Sequence, residues 1–329
     1  MEKSINFKNK NMKTTRESSN EFINDLKKEG FLNPILELIK RDHTLNLQIR
    51  NEYINIYYRG GNILKIERKN DKYYSTFNEK YFKIAVTERK MIIKKKLSKQ
   101  INTEMEAEEW VDNIQFIKQF MDEYFAKYSK SEREFQQLVA RENNNSVISN
   151  DTDYFITDIE YTNSESKQSR FDLIGLKWTS SSQERKNKNN CRMVLIEMKY
   201  GDGALIGTAG IKKHLSDIEN FCDKKNTQLK ILKEETISAF KQLRTLGLVR
   251  FGKNENKNEI EKLSEEIPEF ILLFANHKPA KTKLESEFKD ISNLKNADVK
   301  IATSNFMGYG LYEQNMLTIE EFKKSILNK

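Results

Sequence analysis

Two stretches, RFDLIGLKW (170–178) and RMVLIEMKY (192–200), decide the fold that we predict for this chain. Both are short runs of apolar, β-forming residues bounded by polar segments, which is the pattern of buried strands. A similar run, YFITDIEY (154–161), precedes them. If RFDLIGLKW and RMVLIEMKY pair across the polar loop 179–191, they form a β-hairpin inside a buried sheet.

Both of these stretches carry charged residues within otherwise apolar sequence. Asp172 lies in the first, and Glu197 and Lys199 lie in the second. A charge on a core strand is costly unless it is paired or binds a metal ion. Side chains two residues apart lie on the same face of a strand, so Glu197 and Lys199 share a face, and the hairpin lets Asp172 approach them.

Two carboxylates that converge on one point form a site suited to Mg²⁺ or Mn²⁺. Such an ion polarises a phosphoryl oxygen and lowers the pKa of a bound water molecule. An ammonium group beside it orients the attacking water and offsets the charge that develops in the transition state. These residues therefore predict a site for the hydrolysis of phosphodiester bonds.

The pattern Asp172-x24-Glu197-x-Lys199, with an acidic helix before it and a helix after it, resembles the PD-(D/E)XK nuclease superfamily. The resemblance covers residues 130–280, and Phe171 stands where the family name has proline. It implies a restriction-endonuclease-like core: an α/β domain with a central mixed sheet flanked by helices. It also favours DNA over RNA as the substrate.

The resemblance implies a role for each residue of the motif. Asp172 and Glu197 bind the metal ion, Mg²⁺ or Mn²⁺, together with the main-chain carbonyl of Met198. Lys199 assists catalysis. By analogy, a stand-alone nuclease of this kind with an added domain would suit restriction or antiviral host defence.

An acidic residue of the upstream helix also belongs to the site by this resemblance. It maps to Glu134, because Glu134 and Leu138 lie one turn apart on the same helix face. Glu132 and Glu142 are rivals. Glu134 has an alternative role as the third residue of a capping box that begins at Ser131.

A second, smaller unit precedes this core in our prediction. Residues 20–41 have helical spacing interrupted by glycine and proline, and four alternating runs follow with a turn at 59–62: TLNLQIR, YINIYYR, NILKIER and KYYSTF. The runs predict an antiparallel meander with Gly60-Gly61 in its hairpin turn. We therefore expect a basic, β-rich α+β domain (1–100) followed by the nuclease domain (101–329).

Positive charge is concentrated in the first domain. The formal net charge is +8, and residues 1–100 hold 23 Lys and Arg against 12 Asp and Glu. A basic N-terminal third suggests that this portion binds a polyanion such as nucleic acid. The alternative is that its lysines reflect a biased genome composition and lie on solvated faces, because charge alone is a weak guide to partners.

Composition also bears on the class of protein. The two cysteines exclude a disulfide scaffold and a cysteine zinc cluster, and no apolar run approaches the ~18 residues of a membrane-spanning helix. The N-terminus lacks the apolar region of a secretory signal. We expect a cytoplasmic protein that binds no membrane and is compatible with homo-oligomers. The rival to a nuclease is a non-catalytic nucleic-acid-binding or regulatory protein that retains the nuclease fold.

Three weaker indications accompany the motif. His214 is a surface or capping residue more readily than a catalytic one. Gln242 lies on a later helix, where some members of the superfamily place a supporting glutamine. A set of alternating aromatic and basic residues either fills the core of the small sheet, the favoured interpretation, or forms a stacking surface for nucleic acid: Tyr53, Tyr57, Tyr58, Tyr73, Tyr74, Arg50, Arg59, Lys65 and Arg68.

Overall fold

The computed structural model describes most of the chain, in seven ranges: 15–84, 87–145, 152–162, 170–181, 183–249, 259–305 and 308–327. Within these ranges the protein is an α/β structure with two sheets flanked by helices. No helix in the described ranges is long and apolar enough to cross a membrane.

The N-terminal sheet is the predicted meander. Its four strands pair antiparallel in chain order: β1 (Leu45–Arg50), β2 (Tyr53–Tyr58), β3 (Gly61–Lys69) and β4 (Lys72–Thr76). Three helices belong to this part of the chain: α1 (Asn20–Leu26), α2 (Asn33–Arg41) and α3 (Thr87–Lys96). The predicted break between α1 and α2 is confirmed, and Pro34 lies in the first turn of α2, where its missing N–H costs nothing.

The turn between β2 and β3 differs by one residue from the prediction. Arg59 and Gly60 occupy it with φ of 48° and 70°, and Gly61 already belongs to β3. Two positive φ values fit the turn that matches the twist of a hairpin. Glycine at position 60 is required for a second reason, because a Cβ atom there would lie 2.4 Å from the carbonyl carbon of Arg133.

Two helices lie between the two sheets in the sequence, α4 (Glu104–Lys127) and α5 (Ser131–Asn145). The capping box at Ser131 was a wrong expectation. The helix begins at Ser131 itself, and the main-chain N–H of Glu134 donates to the Lys130 carbonyl at 3.1 Å. Position 130 therefore precedes the helix, and Ser131 lies within its first turn.

Helix α4 lies with the N-terminal sheet, although we had assigned it to the nuclease domain. It packs on α2, α3 and β3. One cluster of buried apolar side chains extends from Phe22 to Ile326. Residues 1–100 therefore share a hydrophobic core with the rest of the chain, and the change from one layer to the next falls at α5 rather than at residue 100.

The second sheet is mixed, as predicted. Its five strands lie in chain order: β5 (Tyr154–Thr162), β6 (Arg170–Lys177), β7 (Arg192–Lys199), β8 (Glu269–Ala275) and β9 (Asp298–Ser304). The first three pair antiparallel, and β8 and β9 continue the sheet parallel to β7. Four helices accompany it: α6 (Ile211–Phe221), α7 (Thr227–Thr245), α8 (Lys281–Phe288), which the sequence did not predict, and α9 (Ile319–Leu327).

A buried charge cluster joins the two sheets at their edge strands. Asp158 on β5 forms an ion pair with Arg50 on β1 at 2.6 Å and accepts a hydrogen bond from Arg16 at 2.7 Å. Arg50 also donates to the carbonyl of Ile159 at 3.1 Å. All three charged residues are buried. Asp158 is the acid paired with Arg50, and it shares Arg16 with the charge of buried Glu235, so its loss would leave Arg50 in the core without a counterion.

Asp158→Ala should therefore destabilise the whole protein. Removing one partner from a buried ion pair typically costs about 3–5 kcal/mol, because the remaining charge stays buried and uncompensated. We expect a loss of this size in the free energy of unfolding, measured by urea denaturation.

Asp290→Ala is the control, because Asp290 is 74% exposed and lies 3.6 Å from Lys212. An exposed ion pair contributes about 0–1 kcal/mol. Equal losses in the two variants would contradict a structural role for the buried cluster.

Candidate active site

The main-chain ladder between β6 and β7 ends at the candidate site. The last paired residues are Leu173 and Ile196. Beyond them, the carboxylate of Asp172 takes the place of a main-chain acceptor, and its Oδ2 accepts from the N–H of Met198 at 2.8 Å. The hairpin thus brings Asp172 to the end of β7 that carries Glu197. At Met198 the hydrogen bond from β7 goes to the side chain of Asp172 instead of to the main chain of β6.

The three charged residues of the motif converge in the interior. Asp172 is 7% exposed, Glu197 is 8% and Lys199 is 2%. Nζ of Lys199 donates to Oε1 of Glu197 at 2.9 Å, which agrees with their placement on one face of β7. Glu197 and Lys199 lie on β7, the central strand of the sheet, and Asp172 lies on the adjacent strand β6.

Burial dominates the electrostatics of this group. It raises the pKa of Asp172 well above its usual range, and the negative charge of Glu197 raises it further, while the Met198 N–H and Lys199 oppose the shift. Burial also raises the pKa of Glu197 against the opposing effect of Lys199. Glu132 raises the pKa of both acids. The site therefore holds more negative charge than its own lysine compensates.

The acid of helix α5 is the point at which the structure departs from our assignment. The preferred candidate, Glu134, is bound by Arg59, which donates to its two carboxylate oxygens at 2.8 and 3.2 Å. Arg59 also donates to Asp122 at 2.8 Å. Glu132, the rival two residues earlier, is the α5 acid whose charge reaches both buried acids. Glu134 thus pairs with an arginine of the N-terminal sheet, and Glu132 is the α5 acid whose charge acts on the motif.

His214 contributes a contact that the sequence did not favour. The glycine-rich segment 201–210 forms two short 3₁₀ turns that lead from β7 into α6. This path brings Nε2 of His214, in the first turn of α6, to 3.1 Å from Oε1 of Glu197. Glu197 is therefore contacted by both Lys199 and His214.

Two other candidates lie elsewhere. The side chain of Gln242 binds the main chain of Ser18, accepting from its N–H at 3.0 Å and donating to its carbonyl at 2.7 Å. Gln242 thus anchors the N-terminal segment against α7 and does not support the acids. Glu142 lies 3.7 Å from Arg141 on the same helix.

The alternating aromatic and basic residues divide between the two roles that we considered. Tyr57 and Tyr73 are buried and fill the core. Tyr53, Tyr58 and Tyr74 are partly exposed. Arg50 and Arg59 are held by acidic side chains, as described above. The set as a whole is not a continuous stacking surface.

The donor atoms at the motif fit a hard divalent cation. Among the residues that the structure describes, no group of three or more His, Cys, Asp and Glu is arranged to hold a metal ion. Mg²⁺, however, is commonly held by one or two carboxylates, with water and substrate phosphate completing its shell. Asp172 and Glu197 supply two such carboxylates, and burial raises the pKa of each. A divalent cation bound between them would favour their charged forms.

The chain was compared with protein families, curated proteins and solved structures. No protein family model, no curated protein and no solved structure matches the chain. The resemblance to PD-(D/E)XK nucleases therefore rests on the residues of this chain alone. Its function has to be inferred from the chemistry of the site.

Asp172→Asn should raise the melting temperature at pH 8 in the presence of EDTA. A carboxyl group whose pKa is higher in the folded chain than in the unfolded chain binds more protons when folded, so it destabilises the fold as pH rises above about 4. Asparagine keeps an oxygen that can accept from Met198 but carries no charge. We expect the advantage of the variant, measured by scanning calorimetry, to disappear near pH 4.

Asp42→Asn is a control of opposite sign. Although burial raises the pKa of Asp42, hydrogen bonds from Lys118 and Thr44 outweigh that effect and leave it lowered. Its stabilising effect is present above about pH 4 and is lost as pH falls, so the variant should melt lower than wild type at pH 8. A lower melting temperature for Asp172→Asn at pH 8 would contradict the account of the buried acids.

Proposed function

We propose that this protein is a metal-dependent nuclease that hydrolyses phosphodiester bonds of nucleic acid, with DNA favoured as substrate. The observation that carries the proposal is the convergence of Asp172, Glu197 and Lys199 in a buried site with excess negative charge. A protein that only bound nucleic acid would gain nothing from burying two carboxylates side by side, because they repel phosphate and destabilise the fold.

Asp172 and Glu197 would hold the metal ion, Mg²⁺ or Mn²⁺, with the main-chain carbonyl of Met198 as the further ligand that the resemblance implies. When bound, the ion polarises a phosphoryl oxygen and lowers the pKa of a water molecule. The hydrogen bond from the Met198 N–H to Oδ2 orients the carboxylate of Asp172. The N–H of one ligand residue thus fixes the side chain of another.

Lys199 is the group that would act on the substrate. Its ammonium, held by Glu197 at 2.9 Å, is positioned to orient the attacking water and to offset the charge that develops on the phosphoryl group. His214 contacts the same oxygen of Glu197 at 3.1 Å and restrains that carboxylate from the side of α6. Two side chains from different elements therefore fix the orientation of Glu197.

The wider setting of the proposal rests on charge and analogy. A net charge of +8, concentrated in the first hundred residues, favours a polyanionic partner. The resemblance to the superfamily favours DNA over RNA and a role in restriction or host defence. The sequence composition favours a cytoplasmic location, and assembly into homo-oligomers is compatible with both.

Asp172→Asn and Lys199→Gln should each reduce Mg²⁺-dependent cleavage of plasmid DNA by at least about 10²-fold. One removes a metal ligand, and the other removes a charge that stabilises the transition state, a loss that typically costs about 10²–10³-fold in rate. Circular dichroism of each variant checks that it is folded. Cleavage at the wild-type rate by either folded variant would contradict the assignment.

The same assay decides between the nuclease and its rival. If wild-type protein binds DNA and RNA but cleaves neither with Mg²⁺ or Mn²⁺, the non-catalytic nucleic-acid-binding function is the better account. Cleavage that proceeds equally in EDTA would contradict the metal dependence itself.

Glu132→Gln and Glu134→Gln form a matched pair that separates the two acids of α5. Glu132→Gln should raise the Mg²⁺ concentration required for half-maximal cleavage by about 10- to 100-fold, as changes next to metal ligands commonly do. Glu134→Gln should leave the Mg²⁺ titration unchanged and cost up to about 1 kcal/mol of stability, because it weakens a partly exposed pair with Arg59. The reverse result would restore Glu134 to the site.

A further inference from the structure

A cavity at the junction of the two sheets is lined by an unusual number of arginines. Its volume is about 650 Å³, which lies within the range of ligand pockets. Arg16, Arg50, Arg133 and Arg170 line it, together with Tyr53. The two sheets and the start of α5 all contribute to its wall.

Two of these arginines form a fixed base. Arg16 and Arg50 share the single carboxylate of Asp158, at 2.7 and 2.6 Å. Arg50 is further held by two main-chain carbonyls, at 2.8 and 3.1 Å. Glu235 also acts on Arg16, so two acids balance these two guanidinium groups. Their contacts hold both groups in place before a ligand binds, which lowers the ordering cost of binding.

The other two arginines add to the positive charge. Arg133 pairs with Glu160 at 2.6 Å. Arg170 is exposed at the start of β6 and forms no ion pair within the described part of the chain. The four cations of the cavity thus exceed by one the three acids that act on Arg16, Arg50 and Arg133, which are Asp158, Glu235 and Glu160.

The position of Arg170 links the cavity to the candidate active site. Arg170 and Asp172 are two residues apart on β6 and therefore lie on the same face of that strand. The charge of Arg170 reaches Glu197 and opposes the rise in its pKa. A ligand bound at Arg170 would lie next to the buried acids.

We propose that this cavity binds a phosphate-bearing nucleotide. The planar guanidinium groups match the oxygens of a phosphate, and the ring of Tyr53 offers an aromatic surface for the base. The nucleotide is either the neighbour of the scissile phosphate in the substrate strand, which rests on the proposed nuclease function, or a free mononucleotide, which does not.

Arg170→Gln is the informative variant, because Arg170 is exposed and its loss breaks no ion pair within the described part of the chain. Binding is measured in EDTA, so that no cleavage occurs: fluorescence anisotropy with a labelled single-stranded oligonucleotide, and calorimetry with adenosine monophosphate. We expect about tenfold weaker binding in one of the two assays. For the oligonucleotide, the slope of log affinity against log salt should fall by about one, as for the loss of one phosphate contact.

Lys324→Gln is the matched control, since Lys324 is exposed on α9 and the change removes the same charge away from the cavity. Tyr53→Leu provides a second readout. It should weaken binding without altering the salt slope, because stacking releases no counterions. A loss confined to the oligonucleotide identifies the substrate strand as the occupant, and a loss confined to adenosine monophosphate identifies a free nucleotide.

The proposal is overturned if Arg170→Gln and Lys324→Gln bind both ligands equally well. This outcome is independent of the nuclease assay. If the wild-type protein cleaves nothing but Arg170→Gln binds more weakly, the nucleotide-binding proposal stands and the nuclease proposal fails. If Arg170→Gln cleaves normally and its binding is unchanged, the nuclease proposal stands and the nucleotide-binding proposal fails.

Discussion

The burial of two carboxylates side by side is the constraint on which the rest of the site depends. Asp172 and Glu197 lie at the end of the β6–β7 pairing, where both lose solvation and each repels the other. A chain that folds with this cost needs donors around the pair, and it has them in the Met198 N–H, Lys199 and His214. These donors only partly offset the burial, and the remaining negative charge is what a divalent cation would neutralise.

The N-terminal sheet is bound to the second sheet by polar contacts as well as by the shared core. Asp158 holds Arg16 and Arg50 at the edge of β5. Helix α5 lies between the two sheets: Gln137 bonds to main-chain groups of the N-terminal unit, and Asn144 bonds to both main-chain groups of one residue of β5. Removing the first hundred residues would expose this joint, so the contribution of the N-terminal sheet has to be measured by substitution in the full chain.

The sequence predicted the parts of the fold that depend on local pattern. Alternation identified the strands of the N-terminal sheet, and short apolar runs identified the first three strands of the second sheet. The spacing of Asp172, Glu197 and Lys199 brought those three residues together because a hairpin fixes their register. Local pattern does not predict which side chains from distant segments of the chain contact one another. Glu134 is bound by Arg59, 75 residues earlier, and helical spacing alone did not determine whether Glu134 or Glu132 would face the motif. The approach of His214 depends on the path of a glycine-rich turn, which no periodicity encodes.

The most direct measurement of the central claim is the position of a metal ion in crystals of the full chain soaked in MnCl₂. Anomalous scattering locates Mn²⁺ without reference to activity. The account predicts one strong anomalous peak within coordination distance of carboxylate oxygens of both Asp172 and Glu197, and no such peak in crystals of Asp172→Asn. Crystals of the wild-type chain that show no peak at this pair, with the two carboxylates accessible to the soak, would contradict it.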